Sequence, residues 1–94
     1  MDTSTRLNHR KALLRATRED LARHRICAAE ANRLLRAVML KIFDDPAHTH
    51  LHYSEVGRLY VERERALTRS HLTEGSCLTL RQEIATLKQQ LANE

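Results

Sequence analysis

No glycine or proline interrupts the chain before Pro46, and within that stretch Leu7, Leu14, Leu21, Ala28, Leu35 and Ile42 recur every seventh residue. Thr17, His24, Ala31 and Val38 fill the intermediate positions, weak at the start and strong at the end. An apolar repeat of this period, unbroken by helix breakers, belongs to a long helix with one stripe covered by another helix. Thr3, Ser4 and Thr5 are candidate caps, because their side-chain oxygens can accept bonds from the unpaired first amides. The helix is expected over about residues 4–44. Pro46 stops it by removing an amide and disfavouring helical geometry at the residue before it. At ~1.5 Å per residue such a helix spans roughly 60 Å, about twice the diameter of a compact chain of this length, so an elongated molecule is expected.

The remainder also reads as helix. Ala, Leu, Arg, Glu and Gln dominate the 94 residues, with only two Gly, one Pro and no Trp, a composition rich in helix formers and poor in strand formers. Asp45 as cap with Pro46 at the first helical position predicts a second helix over about 46–74. Ser54 is an alternative start, leaving "AHTHLHY" as a loop. Gly75 closes this helix in the manner of a left-handed C-cap. A third helix over about 77–93 follows, with Thr79 and Gln82 in a capping box and Cys77, Leu80, Ile84, Leu87 and Leu91 stepping by three and four. The expected fold is all-α: a single domain over 1–94 in an elongated three-helix arrangement with one long N-terminal helix, coiled-coil-like packing and a dimeric state.

The stretch "ICAAEANRLLRAVMLKIF", residues 26–43, holds thirteen apolar residues out of eighteen, while Glu30, Arg33, Arg36 and Lys41 exclude a membrane span. On a helical wheel its main apolar face carries Cys27, Ala28, Ala31, Leu34, Leu35, Val38, Met39 and Ile42. A second patch of Ile26, Ala29, Leu40 and Phe43 lies on the other side. Helix 2 offers only a narrow stripe of Tyr53, Val56, Leu59, Tyr60 and Leu67. Its opposite ridge of Glu55, Arg58, Glu62, Arg65 and Arg69 is solvated. Apolar surface therefore outruns its cover, which favours self-association. The expected partner-binding residues are Leu34, Leu35, Val38, Met39, Ile42, Ile26, Leu40 and Phe43 on helix 1 and Leu80, Ile84, Leu87 and Leu91 on helix 3. They would serve a homodimer or another protein's helix, as in an adaptor, chaperone-like or regulatory protein.

Charge supplies the alternative. Sixteen Lys and Arg exceed twelve Asp and Glu, and the excess lies in residues 1–36, with nine basic against four acidic side chains. Lys11, Arg15, Arg18, Arg25 and Arg36 flank the helix 1 seam, with Arg10 and Arg23 nearby, and could track nucleic-acid phosphates. No helix-turn-helix spacing, zinc finger or RNA-binding motif accompanies them.

Enzymatic signatures are lacking. His48, His50 and His52 have spacing that suits metal ligands, but a zinc site needs three or four, so they read as a polar connection and neither metal nor cofactor is expected. Cys27 and Cys77, outside any CxxC, read as packed thiols in a reducing cytoplasm. "VERERALTR", 61–69, after a long first helix is superficially similar to the small three-helix chorismate mutases. The basic residues that resemblance requires earlier in the first helix do not align, so no family is assigned.

Overall fold

The computed structural model describes residues 2–94. It contains two α-helices, α1 (Thr3–Asp44) and α2 (Tyr53–Ala92), joined by a 3-10 segment, Pro46–His52; among the described residues there is no strand. The all-α expectation and the long first helix are met. The three-helix count is not: residues expected in helices 2 and 3 form the single helix α2, which passes through Gly75 without a break.

Two physical facts explain the missing break. Gly75 lacks the positive φ of a C-cap, and a mid-helix glycine costs only about 1 kcal/mol relative to alanine. The second is that α2 keeps one buried stripe through this point: Leu59, Ala66, Ser70, Cys77, Leu80, Ile84 and Leu87 are buried, with Val56, Arg63 and Thr73 half-buried between them. Stepping back by three and four from Leu87 reaches every one of these positions. Packing on both sides of the glycine offsets its small local cost.

The chain divides into two compact units, each containing part of both helices. Unit 1 combines the chain through Ala22 with His71–Glu94. Its core is Leu7, Leu14 and Leu21 from α1 against Cys77, Leu80, Ile84 and Leu87 from α2. The segments run antiparallel, since Thr3 donates to Glu94 while Arg10 meets Glu83. The helix start lies one residue before the expected caps: the Thr5 amide donates to Asp2 Oδ1 at 2.7 Å, so Asp2 is the capping residue. That bond, together with a second from the Thr5 hydroxyl, holds the Asp2 carboxyl below its usual range.

Unit 2 is Arg23–Ser70, a helical hairpin with Leu35, Val38 and Leu59 at its core and Ile42 and Val56 packed against them. Leu59 is fully enclosed. Of the expected helix 2 stripe, Val56 and Leu59 turn inward, but Tyr53, Tyr60 and Leu67 are exposed. Ala66 and Ser70 hold the buried positions instead. Ser70 is tolerated there because its hydroxyl donates back to the Ala66 carbonyl at 2.9 Å, satisfying itself within its own turn.

Asp45 and Pro46 open the 3-10 connector rather than an α-helix, and α2 begins at Tyr53, close to the alternative start at Ser54. The Asp45 side chain makes no capping bond to a backbone amide. It is engaged by His48 Nδ1 at 2.7 Å. At His48 the backbone leaves helical geometry, which ends any continuous helical path from Pro46.

Candidate functional site

The seam positions of α1 are occupied as the heptad predicts. Leu7, Leu14, Leu21, Ala28, Ala31, Leu35 and Val38 are buried, and Thr17, His24 and Ile42 half-buried. This divides the expected partner-binding residues. Leu35, Val38 and Ile42 pack within unit 2, and Leu80, Ile84 and Leu87 within unit 1, so their surface is already covered by the chain itself. Ile26, Leu34, Met39, Leu40, Phe43 and Leu91 are exposed, from 36% at Leu34 to 74% at Phe43. The helix 3 repeat was expected to serve as a second contact; its inner residues face α1 instead, because an unbroken α2 lays them alongside Leu7, Leu14 and Leu21.

Of the exposed residues, Ile26 and Leu34 border a groove of about 490 Å³ between the helices of unit 2, with Cys27 and Ala31 on α1 and Ala66 on α2, whereas Met39, Leu40 and Phe43 lie outside its lining. Ala31 and Ala66 are buried seam residues whose short side chains leave the groove floor apolar. Its rim carries both signs of charge, with Glu30 and Glu62 beside Arg65 and Arg69. Arg33 donates to Glu30 through Nε at 3.0 Å and Nη2 at 2.6 Å. Those hydrogen bonds lower the Glu30 carboxyl and raise the Arg33 guanidinium. Glu62 accepts from Arg58 at 2.8 Å. Cys27, expected to be packed, is exposed on this groove, whereas Cys77 is buried as expected. A position just beside the seam is covered only where the partner helix presents a large side chain, and here it presents Ala66.

Arg63 occupies a seam position of α2. Its guanidinium lies 5.2 Å from the Tyr60 ring centre and reaches Asn32 Oδ1 at 3.3 Å, but its Nε is buried without a partner. Sequence reasoning missed this position because an arginine interrupts the apolar stripe; its hydrocarbon stem packs there while the charged end leans outward.

All five basic residues proposed for nucleic acid are exposed, with Lys11, Arg15 and Arg18 in unit 1 and Arg25 and Arg36 in unit 2. Arg10 is taken up by Glu83, with Nε 2.9 Å from Oε2. That contact is an ion pair rather than a directed hydrogen bond. The His48 and His50 rings lie 6.3 Å apart and tilted. Among the described residues no three His, Cys, Asp or Glu side chains are grouped to hold a metal ion, and no helix is long and apolar enough to cross a membrane.

Comparison with the profiles of protein families, with curated proteins and with solved structures finds no match for this chain. Its class is therefore defined by its own geometry: two long α-helices, two antiparallel helix pairs, and an uncovered apolar groove in one of them.

Proposed function

We propose that this chain is a non-enzymatic interaction module, adaptor-like or regulatory, which self-associates as a homodimer through the unit 2 groove bordered by Ile26, Cys27 and Leu34. The observation that carries this reading is the exposure of Ile26 and Leu34, at 68% and 36%, beside an apolar floor. A two-helix pair covers one stripe of each helix and leaves its flanks in water. The mixed rim adds self-complementarity, because a two-fold axis can set Glu30 and Glu62 of one copy against Arg65 of the other.

Thermal melting tests the proposal. A dimer gains stability by mass action, so the midpoint should rise with chain concentration. The rise should vanish in Leu34→Glu, which puts a charge on the groove while leaving Leu35 and Val38 in place. A wild-type midpoint independent of concentration would rule the proposal out.

A further inference from the structure

One edge of unit 1 collects cations from both helices. The buried leucines and Cys77 fix which way each helix faces, and the residues one before a seam position line the two grooves of this unit: Leu13 and Asp20 on α1, Ser76, Glu83 and Gln90 on α2. The residues four after Leu7, Leu14, Cys77 and Ile84 therefore lie on the opposite edge of the antiparallel pair. Those are Lys11 and Arg18 on α1 and Arg81 and Lys88 on α2, with Arg15 adjoining the α1 row. None of them lines either groove.

The two edges differ in charge. Asp20 and Glu83 lie on the groove edge, where Glu83 neutralises Arg10 at 2.9 Å. On the other edge those four cations and the adjoining Arg15 are accompanied by Glu74 at the same helical register, 3.9 Å from His71, and by Glu19 beside Arg15 and Arg18. Among the described residues none of Lys11, Arg15, Arg18, Arg81 or Lys88 is held in an ion pair or side-chain hydrogen bond. We infer that this edge docks on the phosphate backbone of duplex nucleic acid, an activity separate from self-association.

Three features favour a duplex over other anionic partners. Along each helix the paired cations are seven residues apart, about 10 Å, and packed helices stand roughly 8–10 Å apart. That spacing is comparable with a DNA major groove about 12 Å wide, lined by phosphates on both sides. Unit 1 contains no Phe, Tyr or Trp, so it has no platform for stacking the bases of a single strand. An acidic protein partner would call for an apolar centre within the patch, and here the exposed Leu78 stands alone at its border.

The test is fluorescence anisotropy of a labelled 20-base-pair duplex titrated with the full-length chain over a series of salt concentrations. Binding should be independent of base sequence, with a log–log salt slope of about −4 if most of the five cations meet phosphates. Lys11→Glu with Arg81→Glu should weaken binding at least about tenfold at low salt and reduce that slope by about 2. The matched reversal in unit 2, Arg36→Glu with Arg58→Glu, should change affinity less than about threefold. Circular dichroism verifies helicity, and Lys11→Gln with Arg81→Gln replaces the reversal if it unfolds. The inference is overturned by absence of duplex binding at low salt, by equal loss in the unit 2 variant, or by tighter binding to single strands or phosphatidylserine vesicles than to duplex. Concentration-dependent melting should survive in the unit 1 variants, which keeps failure here distinct from failure of the dimer.

Discussion

A Cβ added at Gly75 meets no atom within 4 Å, and its backbone is helical. Gly75→Ala is therefore expected to raise stability by about 1 kcal/mol, through lower backbone entropy in the unfolded chain. Were Gly75 a left-handed helix end, the same change would destabilise; chemical denaturation separates the two. Arg63 yields an opposite kind of site. Its buried Nε lacks a partner, and an unsatisfied buried donor costs about 1–3 kcal/mol. Arg63→Met, which keeps the length of the stem, should raise the denaturation midpoint, and a fall would mean that the contacts to Asn32 and Tyr60 outweigh the orphaned donor. At the helix start the Asp2 carboxyl is lowered chiefly by the Thr5 amide. A depressed carboxyl contributes stability that is present above its unfolded pKa and lost as pH falls through its folded one. Asp2→Asn keeps a capping oxygen but does not titrate, so its melting midpoint should fall less between pH 7 and pH 3 than that of the wild type. Equal falls would count against the cap.

At the scale of the element, α1 was legible because its seam is written almost entirely in Leu, Ala, Val and Ile. The second half of α2 was legible for the same reason. The first half was not: Arg63, Ser70 and Thr73 stand where apolar residues would announce the stripe, and Gly75 imitates a stop. The physics that admits them, a hydroxyl bonded to its own helix and an arginine stem lying flat, leaves no trace in hydropathy. The groove was partly legible. Ile26 and Leu34 were marked as surface, yet Leu35 and Val38 were assigned to the same interface, and the covering side chain, Leu59, belongs to an element judged too weak to cover them. Leu59→Ala tests that cover. Loss of a fully enclosed leucine should cost about 2–5 kcal/mol, measured by urea unfolding, whereas a cost below about 1 kcal/mol would mean that Leu59 is not a core residue. Arg81 and Lys88 carry no signal in the sequence, because their significance depends on α1 lying alongside.

For the whole molecule, the decisive feature is surface that two helices leave uncovered. Each unit encloses one stripe per helix and leaves the flanking faces in water. In unit 2 that surface is apolar with a mixed-charge rim; in unit 1 one edge is cationic. Sedimentation equilibrium of the full-length wild-type chain tests the central claim most directly. A mass of two copies is expected at micromolar concentration, reverting to one copy in Leu34→Glu with helicity unchanged. A single-copy mass for the wild type at the highest attainable concentration would contradict it.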